Sequence, residues 1–232
     1  MLELTKKKKS LVETVSDTIT KYIVDNELQV GDKIPNEFEL AEKLNVGRST
    51  VREAIKALVS RNVLEVKRGS GTFISSKAGV ADDPLGLELI KDRAKLAQDL
   101  LEVRFMIEPE IASIAATKAT EEEIERLQHL CDEVEQLILH KKNHRLKDIE
   151  FHTEIARISR NQVVATLIPI IDKSIEIFIE LTKSALEQET IETHREIFEA
   201  IKNKDPKGAH DAMYLHLVYN RRNLKKADEI DR

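Results

Sequence analysis

The chain has little from which to build cross-linked or irregular structure. Its 232 residues contain one cysteine, Cys131, so no disulfide can close within it, and a lone thiol points to a cytoplasmic setting. Seven glycines and five prolines leave little room for long loops. No apolar run approaches the ~20 residues of a membrane span, which argues against a helical membrane protein. The run Lys6-Lys7-Lys8-Lys9 has no apolar stretch after it and does not read as a secretory signal. It reads as a solvated tail, with a phosphate contact as the lesser alternative. An excess of positive charge is also missing: the net charge is −5. What is present is 41% apolar and 34% charged residues, the balance of a charge-rich, mostly helical soluble protein long enough for two domains.

The acidic total hides a division. Residues 1–75 hold 13 Lys/Arg against 11 Asp/Glu, whereas the remainder is acidic. Nucleic-acid binding depends on the local patch, so the N-terminal part remains a candidate. Leu11, Val15, Ile19, Tyr22 and Ile23 recur at helical spacing between Ser10 and Asn26. Pro35-Asn36 opens a second helix, with Asn36 as cap and Glu39 completing a capping box. The short Asn45-Val46-Gly47 follows, its Asn and Gly suited to positive φ. A third helix runs from about Arg48 to Ser60, with Val51, Ala54, Ile55 and Leu58 as its buried stripe. That leaves Arg48, Ser49, Thr50, Arg52, Glu53 and Lys56 outward. Arginine can chelate guanine, and hydroxyls and first-turn amides bind phosphate. Asn62 stops the helix in the left-handed conformation. Leu64-Glu65-Val66 and Thr72-Phe73-Ile74 alternate as two strands around Lys67-Arg68-Gly69-Ser70-Gly71, a basic tip suited to a minor groove or adjacent phosphates. Together these features outline a winged helix-turn-helix that reads double-stranded DNA.

The same residues resemble the DNA-binding domain of GntR-type bacterial regulators, with its P-S-E-R-x-L-A, R-x-x-V-R-E-A and G-x-G-T-F patterns. The matching positions are Pro35, Glu37, Leu40 and Ala41; then Arg48 and Val51-Arg52-Glu53-Ala54; then Gly69-Ser70-Gly71-Thr72-Phe73. Asn36 replaces the usual Ser and keeps the cap. Phe38 stands where the family often has a DNA-contacting Arg, and Gly47 replaces a usual hydroxyl cap.

The expected fold is mainly α: a winged helix-turn-helix with a small hairpin wing over residues 1–76, a linker over 77–91 with Gly79, Asp82-Asp83 and Pro84, and an all-α bundle over 92–232. Predicted helices span 86–116, broken near Asp92, then 120–142, 145–159, 161–184, 187–203 and 206–226. Asp148 and His152 are i and i+4 on one helix and share a face. His194 and His216 stand about 10 to 12 residues either side of the turn at Asn203-Lys204-Asp205-Pro206. At ~1.5 Å per residue they reach nearly equal height in an antiparallel hairpin. The four can converge on one metal, and such N/O donors suit Zn²⁺, with Ni²⁺ or Mn²⁺ as alternatives. His129, His140, His144 and His210 read as solvated helix faces or termini; Cys131, Phe105, Met106 and Ile107 read as core.

That ordering of ligands resembles the FCD domain of FadR-type GntR regulators, over about residues 92–225. The resemblance implies a metal held by Asp148, His152, His194 and His216 beside an effector cavity that small carboxylates commonly occupy. It also implies an effector role for Arg104, which otherwise pairs with Glu108 at i+4, and for Asn161, which otherwise caps a helix. The function expected is a homodimeric regulator, a repressor by the family's commoner arrangement, that binds operator DNA and responds to a small organic acid. A sensor of the metal itself is one alternative. A metal-dependent hydrolase with a DNA-binding head is another, because such a centre can activate water. No further acid or base stands at a recognisable motif position, and Glu154, two residues from His152, points elsewhere.

Overall fold

The computed structural model describes residues 9–77, 79–81, 83–172 and 187–230. Lys6 to Lys8 and the predicted helical stretch 173–184 lie outside them. Contacts divide the chain into two compact units, Met1–Pro84 and Leu85–Arg232.

In the first unit α1 (Leu11–Asp25), α2 (Glu37–Leu44) and α3 (Arg48–Ser60) precede β1 (Leu64–Lys67) and β2 (Gly71–Ile74). Ser10 and Glu13 form a capping box on α1, and Asn36 and Glu39 form another on α2. The stripe Val51, Ala54, Ile55 and Leu58 is buried against Val15, Ile19 and Leu40. Each large side chain of this kind contributes roughly 1.5–3 kcal/mol. Asn45 takes the left-handed conformation at φ 50° and reverses the chain. Gly47 does not take the expected positive φ: it is extended at φ −66°, because the reversal is complete and α3 begins there, with no side-chain cap. Asn62 is left-handed as anticipated, at φ 54°.

The hairpin pairs Leu64 with Ile74 and Lys67 with Gly71, antiparallel. A rung unforeseen in the sequence extends it. Lys33 bridges to Phe73, and Ile34 donates its N–H to the Thr72 carbonyl at 3.0 Å. Gly71 has φ 130°, a backbone conformation that L side chains rarely adopt, so the wing favours glycine there; the Lys33 Cε that a Cβ would meet at 2.5 Å is the end of a flexible side chain.

The second unit is helical throughout the described residues. A 3₁₀ turn at Leu87–Leu89 precedes α4 (Arg93–Lys118), which Asp92 caps, so the expected break falls at that residue. There follow α5 (Glu121–Leu139), α6 (Arg145–Ile158), α7 (Gln162–Ile171), α8 (Glu187–Lys202) and α9 (Pro206–Ile230). Asp205 Oδ1 accepts from the Gly208 N–H, and Pro206 fills the first turn, where its missing donor is harmless. α9 packs along α4 and α8, and α6 along α5 and α7. Phe151, Phe198, Leu127, Ile155 and Ile197 anchor the core. Cys131 is buried as expected. Met106 is not: it is 73% exposed. Arg104 and Glu108, one turn apart, claim the inner face of α4, which turns residue 106 outward.

Glu123 ties α5 to α6. Its carboxylate accepts from Arg160 at 2.6 and 2.8 Å and from Arg157 at 2.9 Å, and completes a capping box with Thr120. The Arg160 hydrogen bond, foremost, holds its pKa down to about 2 despite burial. A depressed carboxylate stabilises above its unfolded pKa and loses that effect as pH falls toward the folded value. Glu123→Gln is therefore expected to destabilise by about 1–2 kcal/mol at pH 7, a figure discounted because both arginines are half-exposed. In urea unfolding, the gap from the parent should narrow below pH ~4.5.

Candidate metal centre and nucleic-acid interface

Three helices of the second unit converge on one buried polar centre. α6 supplies Asp148 and His152, α8 supplies His194 and α9 supplies His216, all at most 6% exposed. The three histidines offer nitrogens within 4.8 Å of one another. Their ring centroids are 4.9 to 5.4 Å apart. Asp148 Oδ1 is 3.1 Å from His194 Nε2 and 3.9 Å from His152 Nε2. The hairpin of α8 and α9 thus brings His194 and His216 level, as the residue count required.

The far sides of two rings are held. Glu108 Oε2 stands 3.0 Å from His152 Nδ1, and Thr193 Oγ1 is 2.9 Å from His216 Nδ1. Asn220 Nδ2 lies 3.2 Å from His216 Nε2. Such partners fix ring orientation and tautomer. Arg104 is itself buried, paired with Glu108 through both Nε and Nη2, with Nη2 3.4 Å from His152 Nε2 and Nε 3.5 Å from Asp172 Oδ1. Arg104 thus makes the ion pair with Glu108 that its spacing allows, and the same packing brings its guanidinium beside His152. Asn161 is not brought to the centre: it is exposed and caps α7 by accepting from the N–H groups of Val163 and Val164. His144 departs from expectation in being buried, since it precedes Asp148 by one turn on the inward face of α6.

Electrostatics follow from burial. Burial and then neighbouring histidine charge keep His216 well below its ordinary pKa, and burial also lowers His194. In both rings the shift disfavours the protonated form. Burial would lower His152, but Glu108 outweighs it and raises the value. Burial pushes Glu108 up, yet Arg104 and His152 hold it at about 2. Asp172 is raised to about 7, by burial first and Glu108 next. Asp148 Oδ1 and both ring nitrogens of His194 are buried without a well-aligned hydrogen bond. One carboxylate and three imidazoles buried together, with Asp148 Oδ1 and the His194 nitrogens unsatisfied, fit a divalent metal; the His216 nitrogens face Thr193 and Asn220.

In the first unit the outward face of α3 carries Arg48, Ser49, Arg52, Glu53 and Lys56 exposed and Thr50 half-exposed. Glu37 at the start of α2 holds the Arg52 guanidinium at 3.1 Å. On the wing, Lys67 pairs with Glu65 at 2.9 Å and lies 4.9 Å from the Phe73 ring centroid. Arg68, Gly69 and Ser70 form the exposed tip, with Gly69 at φ 74°. Phe38 is 54% exposed. The roles of Glu37 and Glu65 were missed in the sequence: Glu65 stands two strand residues from Lys67, whereas only the packing of α2 on α3 brings Glu37 to Arg52.

A winged helix-turn-helix head joined to an all-helical unit with a buried polar centre defines a DNA-binding transcription regulator. Comparison with known proteins agrees. Residues 11–74 match the family described as bacterial regulatory proteins, gntR family, and residues 99–219 match the FCD domain. The chain is similar to the uncharacterized HTH-type transcriptional regulator YcbG of Bacillus subtilis, 33% identical over 96% of this chain and 94% of the relative. It is similar to the putative L-lactate dehydrogenase operon regulatory protein of Escherichia coli, 32% identical over 94% of this chain and 88% of the relative. Its fold matches the solved structure of Streptococcus agalactiae GntR with a TM-score of 0.81 and 44% identity, covering 91% of this chain and 99% of that one. The chain belongs to the GntR family, in the FadR-type group that carries an FCD effector-binding domain. The hydrolase alternative falls with that assignment: these relatives are regulators, and the chain is not an enzyme. Among the described residues no helix is long and apolar enough to cross a membrane.

Proposed function

We propose that the protein is a cytoplasmic homodimeric repressor that releases operator DNA when a small carboxylate binds beside a divalent metal, zinc foremost and nickel or manganese next. The observation that carries this reading is the burial together of Asp148, His152, His194 and His216, with Asp148 Oδ1 and both His194 nitrogens left without a hydrogen-bond partner. These four residues hold the metal, which supplies a Lewis-acid anchor for a carboxylate. Arg104 stands beside it to take part of the anion's charge, its guanidinium oriented by Glu108. One relative is named for an L-lactate dehydrogenase operon, which supports an organic acid as signal. Residues 1–76 act as the reading head, 77–91 as the linker and 92–232 as the sensing domain. The head docks Arg48, Ser49, Thr50 and Arg52 in the major groove and Lys67, Arg68, Gly69, Ser70 and Gly71 on the adjacent backbone, two heads serving two half-sites. Ligand binding then shifts the head spacing and so the DNA affinity. Asn161 keeps a capping role, and an effector role for it has no support in its placement.

The test uses a duplex selected from random-sequence DNA on the full-length protein. Arg52→Ala is expected to weaken binding roughly 5- to 100-fold and to reduce the salt slope by about one. Unchanged affinity and slope would remove α3 from the interface. Ligands from three helices also suit a metal sensor, since the ion alone would lock α6, α8 and α9 together. Zinc titration of DNA affinity without any organic acid separates the two readings.

A further inference from the structure

Phe38 is 54% exposed, and among the described residues it is the one exposed phenylalanine; Phe73 and Phe105 are half-buried, Phe151 and Phe198 buried. α2 commits Leu40, Ala41 and Leu44 to the core of the head, which leaves the Phe38 ring outside it. Single exposed apolar side chains are ordinary on a protein surface, so position rather than exposure has to decide a role. Glu37, the preceding residue, reaches across to α3 and accepts from Arg52 Nε at 3.2 Å and Nη2 at 3.1 Å. The first turn of α2 therefore borders the outward face of α3. That turn is also fixed. Asn36 Oδ1 accepts from the N–H groups of Phe38 and Glu39, each at 3.0 Å, and Glu39 Oε2 accepts from the Asn36 N–H at 3.0 Å. A ring on two torsions, carried by a fixed backbone, offers apolar area at low entropic cost.

We propose that Phe38 is a specificity-determining residue: its ring packs on the C5-methyl group of a thymine in the operator, next to the bases that α3 reads. This rests on the reading that α3 docks in the major groove. Phosphates and the polar base edges offer a phenyl ring no hydrogen bond, whereas the thymine methyl is the apolar group that the major groove displays. Such a contact adds sequence preference without neutralising a phosphate, so it leaves the salt dependence of binding unchanged.

Deoxyuridine in place of thymine removes that methyl and keeps the base pair. Each thymine of a duplex selected on the full-length protein is replaced in turn, and the parent and Phe38→Ala are compared by fluorescence anisotropy over a range of salt. At one position the replacement is expected to weaken the parent about fourfold, the worth of one buried methyl group, and to leave Phe38→Ala unaffected. Phe38→Ala should keep the parent's salt slope, melting midpoint and circular dichroism. Should it fail to fold, Phe38→Gln takes its place in the same comparison. A parent indifferent to every methyl overturns the proposal; a ring wedged between base steps would give that result. Equal losses in parent and variant overturn it too, because another side chain then reads the methyl. Arg52→Ala separates the two levels. If it binds as the parent does, α3 is not in the groove and the underlying reading fails. If it binds more weakly while the parent ignores the methyls, this proposal alone fails.

Discussion

Replacing His194 with alanine is expected to lower affinity for divalent metal by about 100-fold or more. Loss of a partner outside the ligand set already costs 10- to 100-fold in comparable sites, and His194 is proposed as a ligand itself. Its Nε2 lies 3.1 Å from Asp148 Oδ1, and neither of its buried nitrogens makes a well-aligned hydrogen bond. Metal bound at a thousand times its dissociation constant stabilises a fold by ~4 kcal/mol. At 2–4 °C per kcal/mol, metal loss should lower the midpoint by about 10 °C. Three measurements decide. Elemental analysis after dialysis should find one metal per parent chain and a clear deficit in His194→Ala. EDTA should lower the parent's midpoint but leave the variant's where it was. His129→Ala, on a side chain 74% exposed, should change neither. A parent that holds no metal and ignores EDTA would end the assignment.

Much of this centre was readable because two rules of helix geometry apply over short distances. The i, i+4 spacing put Asp148 and His152 on one face, and equal distances from one turn put His194 and His216 at one height. The stripe of α3 was readable for the same reason: a four-residue apolar period leaves one face for water and therefore one for DNA. What was missed answers to tertiary contacts. The pairing of Arg104 with Glu108 was legible from their spacing of one turn, but that spacing on most helices marks a solvent-exposed pair. Only the packing of α4 against α6 and α9 reveals that this pair is internal. The same packing turns Met106 outward. Asp172 did leave a trace, an acid that ends the apolar run Val163 to Ile171, but burial at a helix terminus has no periodic signature. His144 was misjudged because a histidine at a helix start usually meets water, whereas here it continues the inward row of Asp148 and His152.

The internal Arg104 makes the second large prediction. Arg104→Leu is expected to destabilise the chain by about 3–5 kcal/mol, because it leaves Glu108 and Asp172 buried without their cation. The midpoint should fall by roughly 6–20 °C on the scaling for chains of this size. Arg104→Lys should recover part of this and no more. A lysine keeps the charge, but as a point it cannot engage both Glu108 oxygens and Asp172 at once, as the planar fork does. The paired substitution Arg104→Leu with Glu108→Leu should be less destabilised than the sum of the singles, since it removes a charge together with its counter-charge. It should still bind metal more weakly than the parent, because His152 loses the carboxylate 3.0 Å from its Nδ1. These two readouts divide the roles of the pair: stability reports charge balance inside the bundle, and metal affinity reports ring orientation. Strictly additive stabilities would mean that the two side chains act apart. Unchanged metal affinity in the paired variant would mean that Glu108 does not position His152, and the centre would then consist of its four ligands alone.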